Sequence, residues 1–131
     1  LASGRPFPAT GGPGRRLVTP LDALLWMLIG HAVCDYPLQG DWLAKAKNWQ
    51  LNLVEGETIW FGALLSHAVI HAGAVKIATG SWVLAACELV AHATIDDMKC
   101  TGHLTYNADQ ALHVACKVLW FMALVMTMPL P

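Results

Sequence analysis

Ionisable side chains are scarce in this sequence, and eight of them fall at one repeated spacing inside apolar stretches. His31 and Asp35, His67 and His71, His92 and Asp96, and Asp109 and His113 each stand four residues apart. On an α-helix that spacing stacks two side chains one turn apart on a single face. Each of four helices then offers one pair of potential ligands, and every pair contains a histidine. Five of the six histidines are used, and only His103 is left over. An imidazole or carboxylate among apolar groups is costly unless it is partnered or bound to metal. Bundles of four helices build metal sites from such inward-facing groups. Imidazole with carboxylate suits a divalent transition metal such as zinc, iron or manganese. Eight ligands suffice for one or two ions with positions left open for water, and such ions activate water and grip the oxygens of a displacement. The expected metal ligands are therefore His31, Asp35, His67, His71, His92, Asp96, Asp109 and His113. Asp35, Asp96 and Lys99 are the expected catalytic residues, with Lys99 pairing with Asp96 or Asp97 or meeting an anionic group such as a lipid phosphate.

Any one pair also has an ordinary explanation, a core histidine bonded to a backbone carbonyl. Repetition in four segments is what points to a shared polar centre, either a metal site or a hydrogen-bonded network or proton relay. Gln39 and Gln110 lie next to the pairs and can serve them. Glu88, one turn before His92, reads best as an outer polar residue. Lys76 and Lys117 are expected to snorkel from helix ends. The four cysteines are isolated, with no C-x-x-C, so neither a zinc ribbon nor a thioredoxin-like site is supported. No glycine-rich phosphate loop and no G-x-S-x-G elbow is present, and Ser66 beside His67 is a weak nucleophile candidate.

These pairs need helices to carry them. The chain has 131 residues, 8 basic and 9 acidic, and 13% charged residues, against about 25% in an average soluble domain. That excludes a disordered chain and argues against a nucleic-acid binder, which needs a basic surface. Apolar residues concentrate in four stretches, Leu21 to Val33, Thr58 to Thr79, Ser81 to Ile95 and Ala111 to Met128, and surround each one rather than forming a stripe. A membrane-crossing helix needs about 20 such residues. The second stretch meets this, the last does if begun at Ala108, and the first and third are marginal. Trp42, Trp49, Trp60 and Trp82 sit near segment ends, as at a membrane interface. A dry soluble bundle is the alternative.

Thr19, Pro20 and Asp22 make a helix start for a first helix running to Cys34 or Asp35, and Pro37 disfavours αR geometry at Tyr36. Gln39 to Trp49 reads as a short interfacial helix, with Trp42, Leu43, Ala46 and Trp49 on one side and Lys45 and Lys47 elsewhere. Further helices are expected over Glu57 to Thr79, from Ser81 to Met98 after a Gly80-Ser81 turn, and from an Asn107 cap to Met128. No strand-like alternation and no internal repeat appears. Residues 1–16 form a Gly/Pro-rich extended arm rather than a signal peptide, expected to lie against a partner subunit. Residues 17–131 form a single helical membrane domain. Arg5, Arg15 and Arg16 place the N-terminus in the cytoplasm, whereas Lys45 and Lys47 oppose that orientation.

The order His31-x-x-x-Asp35-x-x-x-Gln39-x-x-Trp42, Lys47, His67-x-x-x-His71, His92-x-x-x-Asp96-x-x-Lys99 and Asp109-Gln110-x-x-His113 resembles a family of small bacterial and phage membrane proteins. That family is a domain of unknown function, number thirty-three-oh-seven in its series, and the resemblance spans about Leu24 to Lys117. Tyr36 stands where the family signature has Phe. The resemblance implies a polytopic helical membrane protein, often phage-encoded, and implies no activity.

The expected architecture is thus all-α, a four-helix membrane-embedded bundle with a short interfacial helix after the first long helix. The expected function is metal-dependent hydrolysis of a lipid or phosphate ester in a bacterial inner membrane, with the lipid bilayer as partner and no nucleic acid. The alternatives are a haem or redox carrier and a non-enzymatic membrane or virion-associated accessory subunit.

Overall fold

The computed structural model describes residues 19–51 and 53–127, which form five helices and no strand. They are α1 (Pro20–Asp35), α2 (Gly40–Ala46), α3 (Trp60–Thr79), α4 (Trp82–Cys100) and α5 (Tyr106–Thr127). The arm at residues 1–16 lies outside the described residues.

Local chemistry sets most boundaries. At α1, Thr19 and Asp22 form a reciprocal capping box and Pro20 occupies the first turn, satisfying amides that the helix cannot bond itself. The α3–α4 turn follows the expected chemistry. Gly80 takes a left-handed φ of 72° as the cap of α3, and the Ser81 side chain accepts from the Leu84 amide. Two helix starts and one residue's backbone geometry differ from expectation. Helix α3 starts at Trp60 rather than Glu57, because no side chain caps its first turn and Glu57 is held in a turn on Val54. Helix α5 is capped by Thr105, whose hydroxyl accepts from the Ala108 amide, so Asn107 lies inside the first turn. Tyr36 adopts αR geometry despite Pro37, and the helix still ends at Asp35.

Helix α1 packs on α3 and α5, and α4 packs on the same two, so the four long helices close into a ring. Helix α2 rests on α3. Beside His31, Gly30 faces Ala74 so closely that a Cβ on the glycine would lie 2.9 Å from the Ala74 Cβ. At the end of the bundle near the α3–α4 turn, Met27, Val75, Ala78 and Leu84 form a small apolar core flanked by Leu24, Trp120, Phe121 and Leu124. Toward the other end the buried residues become polar. The three buried residues of α5 are Asp109, His113 and Lys117, one inward stripe at helical spacing made wholly of ionisable groups. Its neighbours Leu112, Leu119 and Met122 point outward.

Helices α3 and α5 are long and apolar enough to cross a membrane. The expectation of four such helices is met by these two only. Helix α1 has 16 residues, about 24 Å against a hydrocarbon core of about 30 Å. Helix α4 carries Glu88, Asp96, Asp97 and Lys99, which lower its apolar character.

Candidate metal centre

All four i, i+4 pairs face the bundle interior. The side chains of His31, His67, His71, His92, Asp96, Asp109 and His113 are buried, and the Asp35 side chain is 7% exposed. Asp35 is the hub of one group. Its Oδ1 lies 3.0 Å from His71 Nε2, 3.2 Å from His67 Nε2 and 4.0 Å from His92 Nε2, and the four ligand atoms lie within 4.8 Å of one another. A second group joins His92, Asp96 and His113 on the same criterion. Asp96 links the two: its Oδ2 is 3.6 Å from both His67 Nε2 and His92 Nε2, and its Oδ1 is 3.7 Å from His113 Nε2. His31 and Asp109 flank these groups. His31 Nε2 is 3.6 Å from Asp35 Oδ2, and Asp109 Oδ1 is 3.5 Å from His113 Nε2. The rings are tightly packed, with His71 and His92 stacked at 3.6 Å and His92 and His113 at 4.1 Å between centroids.

Most of these atoms make no hydrogen bond of good angle, although several stand 3.0–3.7 Å from a carboxylate oxygen. Buried and without a hydrogen-bond partner are both ring nitrogens of His31, His71 and His113, Nε2 of His67 and His92, and Oδ1 of Asp35 and Asp109. Buried polar atoms are otherwise nearly always bonded. The two shortest separations, 3.0 and 3.2 Å from Asp35 Oδ1 to His71 and His67, are of the length found between neighbouring ligands of one ion, and the others are longer. At metal–ligand distances of about 2.1 Å, neighbouring ligand atoms stand about 3.0 Å apart in an octahedron and about 3.4 Å apart in a tetrahedron.

The surrounding polar residues hold these groups in place. Gln110 Nε2 donates to Asp35 Oδ2 at 2.9 Å and to Asp109 Oδ2 at 3.2 Å. Gln39 Nε2 reaches the Asp35 carbonyl. Glu88 is fully buried, with Oε1 at 3.3 Å from His92 Nδ1. Lys117 Nζ donates to Glu88 Oε1 at 2.5 Å, and Trp120 Nε1 donates to Glu88 Oε2 at 2.7 Å. A carboxylate on the far nitrogen of a histidine is the usual outer support of a metal-bound imidazole. The expectation that Lys117 snorkels is therefore corrected: it sits inside the bundle because Glu88 offers it a charged acceptor. Lys76 does sit at a helix end, donating to the Gly80 carbonyl and lying over the Trp82 ring.

Two lysines exchange the parts expected of them. Lys99 does not contact Asp96; its Nζ lies 5.1 Å from the centroid of the Tyr106 ring. Lys47, expected on the polar side of the interfacial helix, turns inward and donates to Asp96 Oδ2 at 2.6 Å and to Gln39 Oε1 at 2.5 Å. It follows the last residue of α2, and its stem reaches back into the bundle. A cavity of about 400 Å³ leads to the centre at this end, with Asp35, Asp96, Lys47, Lys99, Tyr36 and Tyr106 among its lining. Lys99 therefore faces the approach to the site rather than its ligands. The signal for Lys47 was its place in the ordered motif; its position on a short helix outside the four pairs hid it.

A ring of helices with an interior of imidazoles and carboxylates defines an all-α protein with a buried His/Asp centre. The chain belongs to the family described as a protein of unknown function (DUF3307), which it matches over residues 23–130. No curated protein and no solved structure matches it.

Proposed function

We infer that this chain is a membrane-embedded helical protein whose His/Asp centre binds one or two divalent transition metal ions and uses them to hydrolyse a lipid or phosphate ester. The observation that carries the metal is the convergence of buried, unbonded imidazole nitrogens on Asp35 and Asp96 at ligand-edge spacings. Zinc, iron and manganese all accept this mixed nitrogen and oxygen set. Metal at Asp35 and Asp96 lies at the inner end of the cavity, where it can activate water. Lys99 on the cavity wall supplies positive charge toward an anionic group arriving from outside.

Membrane embedding is supported by the inverted character of α5, which buries ionisable groups and exposes apolar ones. Exposed Trp42, Trp49 and Trp82, near segment ends, agree with it, since Trp favours the interface. In a bilayer, ionisable groups turn to the bundle interior and mark function. The stacked imidazoles leave no slot for a flat macrocycle between them, which disfavours a haem carrier.

The test is elemental analysis of the full chain purified in detergent without chelator, together with hydrolysis of a chromogenic phosphate ester. Stoichiometric metal is expected, with activity that follows it. Asp35→Asn is expected to weaken binding by at least about 100-fold, since loss of even an outer-shell partner costs about 10–100-fold. A folded wild-type protein that takes up no added zinc, iron or manganese overturns the metal centre. Metal without hydrolysis of any phosphate or carboxylate ester overturns the activity alone.

A further inference from the structure

The centre contains a cation of its own. Lys47 is buried, and its ammonium touches Asp96 at 2.6 Å. Asp96 is the carboxylate that joins the two ligand groups, and it is the only carboxylate of the second. A metal ion bound to either oxygen of Asp96 would stand within about 7 Å of that ammonium. His92 appears in both groups through a single Nε2, and one lone pair serves one ion. Once His92 completes the Asp35 group, the second keeps Asp96 and His113, with Asp109 beside them.

The charge count points the same way. Four carboxylates are buried or nearly so at the centre, on Asp35, Asp96, Asp109 and Glu88, against two ammonium groups, on Lys47 and Lys117. With the ligand histidines His67, His71 and His92 neutral, as ligands must be, and no charge counted on His31 and His113, two negative charges remain. One divalent ion cancels them. A second would leave two positive charges in a low-dielectric interior, where unpaired charge is strongly disfavoured.

We propose that Lys47 is a tethered cation standing in for a second metal ion, so that the centre holds a single ion, on Asp35, His67, His71 and His92. The inference rests on the metal centre proposed above and fixes its nuclearity. It also accounts for α2, because the short helix carries Lys47 into the bundle, and Gln39 at its start fixes the ammonium from the other side.

The experiment is zinc titration of the metal-stripped full chain, read by calorimetry and elemental analysis. Wild type is expected to bind one zinc ion per chain. Lys47→Gln is expected to bind two, the second at least about 100-fold tighter than any second ion in wild type, since like charges a few ångströms apart repel strongly at protein dielectric. Lys47→Arg keeps the charge and is expected to stay at one. Lys47→Met, which keeps much of the stem length, is the second neutral variant should Lys47→Gln fail to fold. Two tight ions in wild type, or one ion in a folded Lys47→Gln, overturns the proposal and leaves the metal centre standing. No ion in any variant overturns both.

Discussion

The two ends of the bundle are built from the same four helices and held together by opposite means. Near the α3–α4 turn, Met27, Val75, Ala78 and Leu84 touch one another without a polar group. Starting one turn away, the same helices meet through five histidines, three aspartates, Glu88 and Lys117. The apolar end gains by removing surface from water, about 25 cal/mol per Å², and by close packing. In a bilayer the first of those gains vanishes, because lipid is as apolar as the core. The polar end then supplies most of what makes one arrangement of helices better than another. Every charged group there needs its partner, so it tolerates far less change.

Breaking a pair at the polar end should therefore cost most. Lys117→Met removes the cation from a fully buried Glu88 and is expected to destabilise the protein by about 3–5 kcal/mol, measured by denaturant unfolding in detergent. Adding Glu88→Gln in the same chain should recover much of the loss, because no unpaired charge then remains. A single variant as stable as wild type would remove the contrast between the ends. Next comes the apolar end. Met27→Ala deletes a fully buried side chain and is expected to cost about 2–5 kcal/mol in the same assay while leaving zinc stoichiometry unchanged. Loss of zinc in that variant would mean that the two ends are not separable. The smallest effect belongs outside both. Lys45 pairs with Asp41 on the exposed face of α2, and Lys45→Ala should change stability by no more than about 0.5 kcal/mol. A larger change would give α2 a structural role beyond carrying Lys47.

Where sequence reasoning succeeded, the interactions were local. The Thr19 cap and the Gly80-Ser81 turn depend on residues within one turn of each other, and both stand as read; the structure adds the return bond from the Thr19 amide to Asp22. The His/Asp pairs are local too: an i, i+4 pair shares a face wherever the helix goes. The start of α3 and the cap of α5 were misplaced because several polar residues competed for each and none dominated by type. Glu88 was read as an outer polar residue, and it does stand behind His92. What could not be read was its partner, 29 residues away on α5.

The sequence by itself determined that four helices would each present two ionisable or imidazole groups one turn apart, since helical periodicity follows from backbone geometry alone. It also determined that these groups could not face a non-polar surrounding unaccompanied. Only the tertiary structure decided which lysine reaches Asp96. Lys47 and Lys99 are both within chain reach of it, but α2 folds back over the mouth of the bundle and aims Lys47 inward, while Lys99 leans on Tyr106. That choice is made by packing between elements distant in the chain, where contact depends on how whole helices dock rather than on the spacing of their residues.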